Sequence, residues 1–235
     1  MKTLIPLLTL IIPLITQAQV SVGNIWHRGL GCPQGSVSTS VAPDGSSISI
    51  LYDSLSAEIP EGSSVLTSKE KCWTKININI PEGKQLVIEG ADYRGFYNLT
   101  SSDQIAGFNS RFYFNNGAAW TGRGFMPPWA YMGGFGISVP GPAIENFVWR
   151  VDTFGILQVS PCGGNTELNI INLVGITSSK PASGSAVFDT MDTQLTQTYR
   201  VRFANCPYTY HPYSGSNSLT PDREKVGGVG WYEGR

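Results

Sequence analysis

Two pairs of carboxylates stand close together in the chain, Glu89 with Asp92 and Asp189 with Asp192. Two such groups at a set separation are what glycoside hydrolysis requires: one protonates the leaving oxygen while the other attacks the sugar or activates water. A spacing of three puts the members of a pair on opposite faces of a strand. Neither pair therefore converges unless a bulge at Gly90 interrupts the alternation of the first. These acids are expected to be solvated or to stabilise turns, and no catalytic residue is assigned. Asp189 and Asp192, with Thr190 and Thr193, also present hard oxygen ligands of the kind Ca2+ takes. Ordinary polar turns share that composition, and neither a metal nor a cofactor is expected.

Nucleophilic catalysis needs a nucleophile, a base and oxyanion donors within reach of one another. The chain holds no GxSxG, no HExxH and no phosphate-cradling glycine loop ending in Lys-Ser or Lys-Thr. His27 and His211 are read as surface residues. Asp92-Tyr93-Arg94-Gly95 is read as structural, an Asp and Arg pair holding a strand bend. The cysteines Cys32, Cys72, Cys162 and Cys206 are even in number and form no CxxC, which favours two disulfides over metal ligation. Four cysteines allow three pairings. Cys32 with Cys72 and Cys162 with Cys206 is preferred because each pair brackets one half of the chain; the other two pairings stay open.

The binding candidate is aromatic. Residues 117–142 mix glycines and prolines with Trp120, Trp129 and Tyr131, whose flat rings suit stacking on sugar faces at low side-chain entropy cost. The competing role for these rings is to cap an open end of the fold. Asn98-Leu99-Thr100 is an N-x-[ST] sequon, a glycosylation acceptor in a secreted eukaryotic protein.

The elements that position these residues are strands. Lys2 precedes an apolar run from Leu4 to Ile15 that ends in small residues at Ala18, the pattern of a signal peptide over residues 1–18. The run is too short, and too interrupted by Pro6 and Pro13, to span a membrane. The mature chain is thus expected outside the cell, with one domain over residues 19–206 and an irregular tail over 207–235. Charged residues make up 14% of the chain and the formal net charge is −1, with no run of either sign, so nucleic acid and anionic membranes are not expected partners. "SVSTSV" and "SISILYD" alternate with period two around Ala42-Pro43-Asp44-Gly45, a hairpin. In "CWTKININIP" the isoleucines Ile76, Ile78 and Ile80 share a face, and Cys72 has their parity. Further alternating runs, separated by turn residues, predict nine or ten strands and an all-β, two-sheet antiparallel sandwich.

"GCPQGSVSTSVAPDGSSISILYDSL", "KCWTKININIPEG", "DYRGFYNL" and "SPCGGNTELNI", in this order, resemble the secreted family known as domain of unknown function 4360. The resemblance spans about residues 22–206 and implies an extracellular, disulfide-bonded, mostly β protein. It brings no established activity or active site. The chain departs from the family pattern in its glycine- and aromatic-rich segment and in its tail. The function expected is that of a non-enzymatic extracellular or cell-wall glycan-binding module, with polysaccharide as partner. The alternatives are a carbohydrate hydrolase using paired carboxylates and a secreted effector that binds a host surface protein.

Overall fold

The structure is a computed structural model, and it describes residues 20–115, 118–120, 125–126, 133–152, 157–187 and 197–206. For 118–120, 125–126, 133–135 and 157 only the backbone is described. The expected signal peptide and the tail beyond Cys206 lie outside these residues, as do Asp189, Asp192 and His211.

The chain forms β1 (Ser21–Arg28), β2 (Val37–Val41), β3 (Ser47–Tyr52), β4 (Ser56–Ile59), β5 (Thr67–Ile80), β6 (Lys84–Leu99) and β7 (Gln104–Phe114). It continues with β8 (Ala118–Trp120), β9 (Phe125–Met126), β10 (Gly133–Pro140), β11 (Ala143–Asp152), β12 (Leu157–Val159), β13 (Gly164–Ser178), β14 (Gly184–Val187) and β15 (Gln197–Asn205). Fifteen strands among the described residues exceed the expected nine or ten because several are short pieces that the alternation pattern does not separate from loops. A five-stranded sheet runs β1-β5-β13-β7-β10, and the remaining strands make a larger, ten-stranded sheet. All pairings are antiparallel.

The expected hairpin is β2 and β3, with Val41 opposite Ile48. Gly45 closes its turn at φ +71°, where a side chain would be strained, and its N–H donates to the Ala42 carbonyl at 2.8 Å. The Ser46 hydroxyl and N–H both donate to Asp44, at 2.7 and 3.0 Å, and together they hold the Asp44 carboxyl below its usual range. In the larger sheet β6 is the spine. β15 and then β14 pair along one side of it, and β12 and then β11 along the other.

Inward positions from both sheets build one core, in which Ile48, Ile50, Ile76, Leu86, Phe108, Phe114, Leu168 and Ile176 are fully buried. Polar residues cross its middle. On the smaller sheet Cys72, Asn172 and Ser110 lie side by side, and from the larger sheet come Gln197 and the buried Tyr52, Tyr93 and Tyr199. Gln197 donates to the Ser110 hydroxyl at 2.7 Å and accepts from Asn172 at 3.0 Å, which satisfies amides that would otherwise be costly to bury. Burial pushes all three phenols up, Tyr93 to about 12.

Candidate ligand-binding face

Because Cys72, Thr74, Ile76, Ile78 and Ile80 take the inward side of β5, the odd-numbered residues Lys69, Lys71, Trp73, Lys75 and Asn77 face away from the core. Strand register then sets their neighbours. Trp26, Lys75, Asn169 and Tyr113 form one row across the outer face of the smaller sheet. Arg28, Trp73, Ile171 and Arg111 form the next, and Lys71, Leu173 and Asn109 follow. A fourth row is Lys69, Gly175, Gly107 and Ser138.

Trp26 is 46% exposed and meets Trp73 edge to face, with ring centroids 5.6 Å apart. The Lys75 ammonium lies 5.6 Å from the first ring and 5.2 Å from the second, a cation over two π-faces. Trp73 donates its indole N–H to Asn169 at 3.2 Å, and Lys75 pairs with Glu167 at 3.6 Å. The ring of Trp73 is thereby fixed, whereas the Trp26 indole offers open apolar area on a rigid strand. Three rows from Trp26 and two from Trp73, Gly107 and Gly175 contribute no side chains and leave a shallow groove of about 390 Å³. Its walls include the exposed Ile105 and Leu173, and Asn109 adds an amide.

The outer face of the larger sheet is built differently. Between Ile88 and Gly90 the register of β6 against β15 slips, so Glu89 is the extra residue of a bulge. The interruption that convergence requires is thus present, and Glu89 and Asp92 share the outward face. Guanidinium groups engage both: Arg202 pairs with Glu89, Arg200 with Asp92 and Asp152, and Arg150 with Asp92 at 3.2 Å. Asp92 takes these partners from neighbouring strands and not Arg94, which is exposed. The glycines of this segment mark close approach: a Cβ at Gly90 would run into Arg200, and one at Gly95 into Phe147.

Of the aromatic residues singled out from sequence, Trp120 belongs to β8, opposite Leu157 and Phe125; its side chain, Trp129 and Tyr131 lie outside the described residues. Asn98 is half-buried in β6, between Ile144 of β11 and Ser185 of β14, and the Thr100 hydroxyl donates to the Ser183 carbonyl at 2.6 Å. His27 accepts no catalytic partner: its Nδ1 lies 3.1 Å from the Cys32 carbonyl, where it steadies the loop that carries the cysteine. Among the described residues no group of three or more His, Cys, Asp or Glu is arranged to hold a metal ion. Sequence reasoning missed Trp26 and Trp73. The odd parity of Lys69, Lys71, Trp73 and Lys75 was the available signal, but the pairing with Trp26 depends on register.

The cysteines pair Cys32–Cys72 and Cys162–Cys206, with Cα atoms 5.4 and 5.6 Å apart. Two antiparallel sheets over one core, cross-linked twice, define a disulfide-stapled β-sandwich. The chain belongs to the family described as domain of unknown function DUF4360, whose model matches residues 18–206. It is also similar to an uncharacterised secreted protein of Arthroderma benhamiae, at 27% identity over 190 residues that cover 80% of this chain and 72% of that protein. No helix among the described residues is long and apolar enough to cross a membrane.

Proposed function

We propose that the protein acts outside the cell as a non-enzymatic polysaccharide-binding module. The observation that carries this reading is the Trp26 indole, 46% exposed and braced edge to face by Trp73 on a strand platform whose outer side also carries Lys75, Asn77 and Tyr113. An ordered aromatic face on a sheet that also carries an exposed amide and a phenol suits a sugar, whose ring has an apolar face and a rim of hydroxyls. Secretion is supported by the amino-terminal pattern, the two disulfides and the secreted relative. Trp120, Trp129 and Tyr131 belong to the same proposal as a second group of rings.

Among the described residues, the shared face of Glu89 and Asp92 is the feature that favours a hydrolase. Against it, arginines already engage Oδ1 of Asp92 and Oε1 of Glu89, which ties both carboxylates into the sheet. Binding of the secreted protein to a panel of soluble and insoluble polysaccharides, read by affinity electrophoresis and pull-down, tests the proposal. Retention that Trp26→Ala abolishes supports it; sugar release abolished by Asp92→Asn would replace it with the hydrolase, and capture of one host protein without any polysaccharide binding would replace it with the effector reading.

A further inference from the structure

The formal net charge of the whole chain is −1, yet the outer face of the smaller sheet is cationic. Arg28, Lys69, Lys71, Lys75 and Arg111 project from it, accompanied among the described residues by the single acid Glu167. Strand period explains the segregation: in Lys69-Glu70-Lys71 the lysines take the outer side and Glu70 the inner parity. Lys75 engages Glu167, and among the described residues no acid lies within ion-pair distance of Arg28, Lys69, Lys71 or Arg111. On the other sheet Glu89, Asp92 and Asp152 each meet an arginine. The imbalance is therefore a property of one face.

We infer that this face docks a polyuronate, a polysaccharide whose sugar rings carry carboxylates. Lys69, Lys71, Arg28 and Arg111 meet the carboxylates, while Trp26 and the trough over Gly107 and Gly175 receive ring faces. The inference rests on the polysaccharide-binding reading and adds the charge class of the ligand. Charge complementarity is the first argument. Spacing is the second: Lys69 and Lys71, two residues apart on one strand, sit about 6.7 Å from each other along it. Trp73, Leu173 and Ile171 lie between the cations, so the ligand must bring apolar surface as well as charge. The groove is the third argument. Its volume of about 390 Å³ falls in the ligand-site range of about 300–1,000 Å³. Lys69 closes one end, its side chain lying against Gly175. At Gly107 an added Cβ would meet nothing within 4 Å, so the floor is open there.

The test is binding of the purified secreted protein to polygalacturonate, with dextran, sulfated dextran and duplex DNA in parallel arms. Polygalacturonate is expected to bind and to weaken roughly tenfold between about 50 and about 300 mM NaCl. Lys69→Gln with Lys71→Gln, both exposed, should weaken it about tenfold. Gly107→Phe should block it by filling the groove, with the melting temperature of both variants near that of the parent. Tighter binding of sulfated dextran or DNA would overturn the ligand class. Salt-insensitive binding of dextran, lost in Trp26→Ala but kept in the lysine variant, would overturn this inference and leave the polysaccharide reading standing. No binding in any arm would overturn both.

Discussion

The ring of Trp26 meets that of Trp73 edge to face, with centroids 5.6 Å apart and planes at 90°. The two residues are unequal partners. Trp73 is held by its hydrogen bond to Asn169, whereas Trp26 keeps 46% of its surface in water. Trp26→Ala should therefore cost about 1 kcal/mol of stability or less but roughly tenfold or more in polysaccharide affinity. Trp73→Ala should cost about 2 kcal/mol in stability as well. Thermal unfolding and titration calorimetry on the two variants separate these outcomes; equal loss of affinity without any difference in stability would mean that Trp73 is not the brace.

The two disulfides differ in access. Cys32 and Cys72 are 2% and 0% exposed, while Cys162 is exposed at the turn before β13. Exchange requires a thiolate to reach a sulfur, so mild reductant should open Cys162–Cys206 first and leave Cys32–Cys72 intact until the fold opens. Mass spectrometry after timed alkylation reads the order. Each bridge spans a similar stretch, with sequence separations of 40 and 44, and on loop-entropy grounds each contributes about 4 kcal/mol. Replacing Cys32 and Cys72 together by Ala should accordingly remove much of the stability seen in denaturant titration.

Asp92 accepts from Arg150 at 3.2 Å and from Arg200, which also reaches Asp152. Its role is to bind three strands, β6, β11 and β15, through one carboxylate. Asp92→Asn should lower stability by about 1–2 kcal/mol and leave polysaccharide binding unchanged, since the residue lies on the sheet opposite Trp26. A loss of binding without a loss of stability would count against the placement of the site.

How much of this was legible beforehand follows from period and register. Strand period depends on nearest neighbours along the chain, so the hairpin at Pro43-Asp44-Gly45 and the inward turn of Cys72 could be read directly, and the structure bears both out. Register depends on residues far away in sequence. Nothing local says that Trp26 lies beside Lys75, or that Gly107 lies beside Gly175. The bulge at Glu89 was legible only as a possibility attached to Gly90, because a glycine permits a bulge without requiring one. Aromatic density drew attention to Trp120, Trp129 and Tyr131, while the rings on regular strands were spread too thinly to stand out.

The buried phenols give the fold a limit at high pH. Tyr52, Tyr93 and Tyr199 are desolvated between the sheets, which raises the pKa of each above the ordinary phenol value of about 10, to about 12 for Tyr93. Below pH 10 the phenols are neutral in folded and unfolded chains alike, and their contribution to stability is fully present. Above it the unfolded chain loses protons that the folded one keeps, so stability falls by about 1.4 kcal/mol per pH unit for each tyrosine. Three such groups remove about 4 kcal/mol per unit, a large share of the roughly 5–15 kcal/mol of a typical domain. Cooperative unfolding is expected between about pH 10 and about 12, the window set by the ordinary phenol value and by Tyr93. Absorbance at about 295 nm should then show the exposed tyrosines titrating smoothly and the buried three ionising in one step together with the loss of the circular dichroism signal. Smooth ionisation of every tyrosine near pH 10, with the sheets still formed, would show that water reaches the phenols and that the polar belt between the sheets is open.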